Sequence, residues 1–300
     1  MSKNILFSII LPTFNRGNLI HNAIESVINQ TIKSWELIIV DDGSSDNTKA
    51  IIDDYKRTDT RIKYVYQQNK ERSAARNKGI NHSSSDWICF LDSDDIYHKN
   101  HLEEFNNLLK INNYAQGLYF SGLSFGSYSK EKEKYNLSHN NNVEFVLLNT
   151  IGTPRACVSS KIINEYQFNE KIRVGEDREL WVRILKKNPL FFHTKKTFVE
   201  IDHKERSVKQ GSENENIKTV KFIIKTNKKF ISKNVISTVM SNAYFNMFKA
   251  KIKDDLKLKA IYYLFISMVT NIKGPQLKHR LVILISMIFR IKTHILKDYK

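Results

Sequence analysis

Asp92, Asp94 and Asp95 fall within four positions, Asp92-Ser93-Asp94-Asp95, directly after the apolar run Trp87-Ile88-Cys89-Phe90-Leu91. Three acids at this spacing repel one another, so the segment calls for a positive partner. A divalent cation holding a phosphorylated ligand answers that need, since carboxylate oxygens are hard ligands that suit Mg²⁺ or Mn²⁺. The alternative is an acidic loop that caps the next helix, with Asp95 as the cap. A second acidic stretch, Gly175-Glu176-Asp177, opens a segment in which Leu180, Trp181, Ile184 and Leu185 recur at helical spacing. Acids at a helix start are favoured by the macrodipole, which by itself describes a capped surface helix. The same field would keep Asp177 ionised and accessible, as a general base must be.

The elements that have to position these residues alternate. Residues 5–11 read as a buried strand, 17–30 as an amphipathic helix, and Leu37–Val40 as a second strand ending on Asp41-Asp42-Gly43-Ser44-Ser45-Asp46. There the glycine permits a tight turn, and Ser44 or Ser45 can cap a helix running to about Arg57. A strand at 62–67, a helix at 71–82 and a strand at 86–91 follow. Strands this continuously apolar are covered on both faces, so the pattern predicts an α/β fold with a parallel-rich, doubly wound sheet. Ligands of such sheets bind beyond the carboxyl ends of the strands, which is where the aspartates cluster. No Gly-x-Gly-x-x-Gly follows the first strand and there is no Walker loop, which disfavours dinucleotide and P-loop chemistry. Further on, the pattern gives a helix at 99–111, strands at 118–121 and 155–159, and a polar stretch at 126–142. A turn at 164–168, strand-like 190–193 and 198–203, and helical segments near 214–231, 234–250, 254–271 and 277–297 complete it.

Charge divides the chain unevenly. The net +17 resolves into 18 Lys and Arg against 5 Asp and Glu in residues 211–300, and 30 against 26 in residues 1–210. A basic segment on a nearly neutral body implies an anionic partner: lipid, nucleic acid or a charged polymer. Helices 260–269 and 281–289 are strongly apolar but shorter than the roughly 18 to 20 residues that span a bilayer. They either pack on one another or lie in the membrane interface with Lys and Arg at the headgroups. Two cysteines, Cys89 and Cys157, exclude a disulfide framework and zinc-ribbon spacing. With no signal peptide at the start, a cytoplasmic protein is expected, peripheral on the inner face of the cell membrane where the basic helices touch lipid.

Five islands in fixed order carry a resemblance: Pro12-Thr13-Phe14-Asn15-Arg16, Asp41-Asp42-Gly43-Ser44-Ser45-Asp46, Ala75-Arg76-Asn77-Lys78-Gly79, Asp92-Ser93-Asp94-Asp95, and Gly175-Glu176-Asp177 with Leu180-Trp181. Together, over residues 5–207, they resemble glycosyltransferase family 2. The resemblance implies a GT-A nucleotide-sugar-binding fold with a mostly parallel central sheet over residues 1–210. Residues 1–95 would be its donor half and 96–210 its acceptor half, with 211–300 as a basic helical extension. It implies an inverting, metal-dependent transferase that uses a nucleotide-diphosphate sugar, typically a UDP-sugar, to extend a glycan or lipid-linked acceptor of a bacterial surface polysaccharide. Carried onto this sequence, Thr13 and Asn15 would line the nucleotide pocket, and Asp42 would bond the base. Arg76 would approach the donor phosphates or sugar, and Asp92 the ribose or sugar hydroxyls. Asp94 would hold a Mn²⁺ or Mg²⁺ ion, and Asp177 would be the catalytic base. His203 stands where many members carry a late histidine near metal or diphosphate. Its neighbours Lys204, Arg206 and Ser207 could touch phosphate oxygens. Two other readings remain at the level of sequence: a nucleic-acid-binding protein that uses the basic segment, and a catalytically silent scaffold of the same fold.

Overall fold

A computed structural model describes residues 5–122, 141–149, 151–192, 199–201 and 212–288. The chain divides into two compact units, residues 1–142 with 150–207, and residues 143–149 with 208–300.

The first unit is built on a seven-stranded sheet. Its strands are β1 (Phe7–Thr13), β2 (Trp35–Asp41), β3 (Ile62–Tyr66), β4 (Trp87–Phe90), β6 (Leu118–Phe120), β7 (Ala156–Ser159) and β8 (Leu190–Phe192), in the spatial order β3-β2-β1-β4-β7-β6-β8. All neighbours pair in parallel except at β7, which runs antiparallel to both β4 and β6. β2 is buried along its whole length and β1 at all but Pro12, which is why both read as unbroken apolar runs. β5 (Asp95–Tyr97) and β9 (Val199–Ile201) form a separate antiparallel pair.

Helices α1 (Ile20–Ile28), α2 (Thr48–Thr58), α3 (Glu71–Asn81), α4 (His101–Ile111), α6 (Ser160–Tyr166) and α7 (Glu176–Leu185) fill the connections. α3 packs on β1 and β2, and Gly79 makes its close approach possible. A Cβ built on Gly79 would stand 2.4 Å from Ile10 Cγ2, inside any real carbon–carbon contact. Gly79→Ala is therefore expected to destabilise by about 1–3 kcal/mol through overpacking, although alanine is the better helix former. An unchanged or raised urea midpoint would show that the β1–α3 contact has slack.

The second unit is helical. It comprises α5 (Asn142–Leu148), α8 (Glu213–Asn227), α9 (Lys233–Lys253), α10 (Lys257–Thr270) and α11 (Leu277–Ile288). Phe248, Ala260, Leu264 and Ile283 form its buried centre.

Some sequence expectations need correction. Asp95 is not a helix cap: it opens β5, its N–H donates to Asp92 O at 3.0 Å, and α4 starts six residues later after Asn100. Ser44 and Ser45 do not cap α2. The cap position is Asn47, which makes no side-chain cap bond; the preceding Asp46 instead holds the helix start, with Oδ1 accepting from Thr48 N at 3.0 Å and from Thr48 Oγ1 at 2.6 Å. The stretch at 164–168, read as a turn, is largely occupied by the end of α6.

Candidate active site

The carboxyl ends of β1, β2 and β4 point the same way, so the loops at 13–17, 41–46 and 91–95 gather at one edge of the sheet. The first two are laced together. Asn15 sits at φ +50°, a left-handed conformation that asparagine tolerates better than most residues. From there its Oδ1 accepts from Ser45 N at 2.8 Å, and its own N–H donates to Ser44 Oγ at 2.9 Å. Gly17 N donates to Asp46 Oδ2 at 3.0 Å, and Arg16 N to Thr48 Oγ1 at 2.9 Å. The paired serines and Asp46 thus shape one loop against the other.

Asp42 is buried behind this edge. Its N–H donates to Thr13 O at 2.8 Å, and its Oδ1 accepts from Gln67 Nε2 at 2.7 Å and from Lys70 N at 2.8 Å. Asp41 accepts from Ser44 N at Oδ1 and from Tyr64 OH at Oδ2. Thr13 is buried, and its Oγ1 finds no hydrogen-bond partner among the described residues. A hydroxyl kept dry and unpaired costs free energy unless a ligand engages it.

Arg76 is the centre of the arrangement. It lies on α3, fully buried, and its two outer nitrogens reach in different directions: Nη2 to Asp92 Oδ1 at 2.7 Å, and Nη1 to Glu176 Oε1 at 2.8 Å. Burial alone would favour the neutral guanidine, but the two carboxylates outweigh it and hold the group more firmly cationic than usual. Arg72 adds a second, looser contact to Glu176 at 4.0 Å. One cation therefore ties the end of β4 to the start of α7, residues 84 positions apart in sequence from Asp92 to Glu176. Asn77, one residue along, clamps the approach to α7: its Nδ2 donates to Phe168 O at 3.0 Å, and its Oδ1 accepts from Phe168 N at 2.8 Å.

α7 is locked by packing. Phe90 of β4 meets Phe168 edge-on at 5.5 Å and Trp181 at 6.5 Å, and Trp181 Nε1 donates to Ile151 O at 3.0 Å. Gly175 precedes the helix at φ +76°, a conformation that most side chains resist. Next to Glu176 stands Asp177, partly exposed, with Oδ1 accepting from Arg178 N at 2.6 Å. Its carboxyl is pushed up to about 6, first by loss of hydration and then by the neighbouring Glu176, against the opposing pull of Arg178 and Arg76. A carboxylate with affinity for protons near neutrality, fixed at a helix start beside an anion, is a competent proton acceptor.

Asp94 lies in ion-pair range of Arg16, with Nη2 to Oδ2 at 3.9 Å. Among the described residues no three His, Cys, Asp or Glu side chains converge into a ready-made metal cage. Mg²⁺ and Mn²⁺ commonly take only one or two protein carboxylates, with phosphate oxygens of a ligand completing the set, so the carboxylate at 94 could serve such an ion without a cage. His203 and the basic residues after it lie outside the described residues.

The structure thus brings Asp92, Arg76 and the Glu176-Asp177 pair together. It also sets Thr13, Asn15 and Asp42 along the adjoining ends of β1 and β2. Arg16 and Glu176 were both inside recognised islands but had no role assigned. Their charges, opposite to those of Asp94 and Arg76 respectively, become meaningful only through contacts across the fold.

The profile of glycosyl transferase family 2 matches residues 8–166, more than half of the chain. The chain belongs to glycosyl transferase family 2. A family relative described as an uncharacterized glycosyltransferase, from Rickettsia felis, is 36% identical over 203 residues, covering 63% of this chain and 32% of the relative. The chain therefore spans about a third of that relative's length. A GalNAc(5)-diNAcBac-PP-undecaprenol beta-1,3-glucosyltransferase from Campylobacter jejuni is 30% identical over 194 residues, covering 62% of each chain. Among solved structures, S. aureus TarS 1-349 in complex with UDP-GlcNAc superposes with a TM-score of 0.66 at 16% identity, covering 88% of this chain and 81% of that one. The fold of the family 2 chain is accordingly GT-A, a mostly parallel α/β sheet followed by C-terminal helices.

Proposed function

We propose that this chain is an inverting glycosyltransferase that moves a sugar from a nucleotide-diphosphate donor, a UDP-sugar, to a glycan or lipid-linked acceptor in bacterial surface polysaccharide synthesis. The observation that carries the reading is the Arg76 bridge, which sets the acid at the start of α7 beside the acids at the end of β4. Donor-side and acceptor-side chemistry then meet at one place. Relatives support the substrate class: one is named for an undecaprenol-linked acceptor, and a structural neighbour is complexed with UDP-GlcNAc.

In this reaction Asp177 takes the proton from the acceptor hydroxyl as its oxygen bonds to the anomeric carbon. The bond from that carbon to the diphosphate breaks on the opposite face, so configuration inverts and a nucleoside diphosphate leaves. Thr13 Oγ1 gains the partner it lacks by bonding the nucleotide, Asn15 lines the same pocket, and Asp42 faces the base. Asp92, aimed by Arg76, bonds sugar or ribose hydroxyls, so Arg76 acts by aiming Asp92 and Glu176 rather than by gripping phosphate. Asp94, with His203, would hold a divalent cation, which when bound offsets negative charge on the departing diphosphate. The basic residues 211–300 would keep the chain peripheral on the inner face of the cell membrane, near a lipid-linked acceptor.

Calorimetry with UDP, followed by a screen of nucleotide sugars for slow hydrolysis with Mn²⁺ present, tests this reading. UDP is expected to bind more tightly with Mn²⁺ than with a chelator. Asp94→Asn is expected to reduce the Mn²⁺ affinity to the chelator value while UDP binding in chelator stays unchanged. No UDP binding in either condition would remove the reading.

A further inference from the structure

α10 is apolar on two sides, and only one is used. Ala260, Leu264, Ser267 and Met268 are buried within the helical unit. Leu258, Tyr262, Phe265 and Val269, with Ile272 just beyond the helix end, recur at intervals of four, three, four and three, and all are solvent-exposed. At about 100° per residue this spacing confines the four within the helix to an arc of roughly 60°. Exposure reaches 85% at Leu258 and 65% at Ile272, so these are projecting side chains rather than rims of the core. Neighbouring α11 leaves Leu281, Val282 and Ile285 exposed as well. Soluble surfaces scatter such residues singly, whereas a contiguous stripe marks something that covers it.

Charge identifies what covers it. Exposed Lys257 and Lys259 stand at one end of the stripe, and exposed Lys273 and Lys278 follow the other. Asp255, just ahead of the helix, lies 3.7 Å from Lys257, and from 256 to 288 no Asp or Glu follows, so Lys259, Lys273 and Lys278 set the sign of the face. A second copy of this face would set lysine against lysine, which disfavours self-association. A surface that is anionic outside and apolar beneath satisfies both features at once. At 14 residues α10 is about 21 Å long, too short to span a bilayer but suited to lying along one. Among the described residues no helix is long and apolar enough to cross. We propose that the outer face of α10, extended by the exposed residues of α11, docks on anionic phospholipid, with Leu258, Tyr262, Phe265, Val269 and Ile272 at the acyl boundary and the four lysines among the headgroups. This assigns a surface to the peripheral contact proposed above, and it holds whether or not the chain transfers sugar.

The test is co-sedimentation of the full chain with phosphatidylcholine vesicles, with and without phosphatidylglycerol, with UDP binding measured in parallel. Wild type is expected to bind the mixed vesicles and to release as salt rises. Tyr262→Ser with Phe265→Ser is expected to weaken binding by about tenfold or more, since two large apolar groups leave the lipid. Lys257→Gln with Lys259→Gln should remove part of the salt-sensitive component. Ile111→Ser, which deletes an equally exposed apolar side chain on α4, should change nothing. Should the double serine variant misfold by circular dichroism, Leu258→Ser, at the most exposed position, carries the same expectation. Wild type that ignores mixed vesicles, or serine variants that bind like wild type, would overturn the proposal. So would a dimer in sedimentation velocity that the serine substitutions dissolve, because a second copy would then be the occupant. Loss of UDP binding with vesicle binding intact would count against the transferase reading alone.

Discussion

Asp177→Asn is expected to lower sugar transfer by about 10²–10⁴-fold while leaving UDP affinity close to that of the wild type. The amide keeps the shape of the carboxylate and its contact with Arg178 N, so the start of α7 has no reason to move. What it cannot do is take the acceptor proton. The ion pairs that aim the donor side, Arg76 with Asp92 and Arg76 with Glu176, do not pass through Asp177 and should survive. A separation of binding from turnover is therefore the signature of the base. Transfer at wild-type rates by the variant would take Asp177 out of that role.

The same carboxyl makes the assignment testable by pH. With its proton affinity raised to about 6, Asp177 is ready to accept a proton only above that point, so transfer should climb through pH 6 to a plateau. Stability should run the other way. The native state holds this proton more tightly than the unfolded chain, whose carboxyl titrates at its ordinary value near 3.8. Stability contributed by the neutral form is full below about pH 4 and is lost as pH rises to 6 and beyond. Above pH 6 the ionised group costs on the order of 1–3 kcal/mol, which asparagine avoids. Asp177→Asn should thus melt higher than wild type at pH 7.5 and like it at pH 4. Equal melting temperatures at both values would mean that the surrounding protein hydrates Asp177 better than its position suggests.

What the sequence disclosed and what it hid follow from the range of the interactions involved. β1, β2 and β4 were legible because strands covered on both faces must be apolar at every position, and α1 and α7 because their apolar residues keep helical spacing. β5, Asp95-Ile96-Tyr97, opens on an acid and offers no apolar run, and seven-residue α5 and α6 are too short to show a helical period, so the sequence pattern does not disclose them. Asp95 illustrates the cost: one acid before a helix has the composition of a cap, and only pairing with β9, more than a hundred residues away, makes it a strand residue. The island Ala75-Arg76-Asn77-Lys78-Gly79 was recognisable as a unit, but its logic was not. Gly79 exists for Ile10, Asn77 for Phe168, and Arg76 for Asp92 and Glu176. Each partner lies far along the chain, so local pattern carries no trace of the match.

Arg76→Met should have the largest effect on the fold. Methionine fills similar volume beside Phe168, over which the guanidinium now stacks at 5.3 Å, but it leaves Glu176 buried with only the looser Arg72 contact at 4.0 Å as counter-charge. Removing one partner from a buried ion pair typically costs about 3–5 kcal/mol, far more than an intact pair contributes, because the remaining charge stays desolvated. Asp92 is less affected, since its side chain keeps 31% exposure and can rehydrate. Two consequences separate lost charge pairing from lost packing. Glu176→Gln added to Arg76→Met should restore a good part of the stability in urea denaturation, since it removes the stranded charge rather than adding a contact. Arg76→Lys should fall between wild type and methionine, because a single ammonium keeps the charge but cannot fork to two carboxylates. Unlike the asparagine variant at 177, Arg76→Met should lose UDP binding and transfer together, as the loop bearing Asp92 and the helix bearing Asp177 come apart. A double variant no more stable than Arg76→Met alone would mean that Glu176 is not the stranded charge, and the bridge would lose its place as the element joining the two halves of the site.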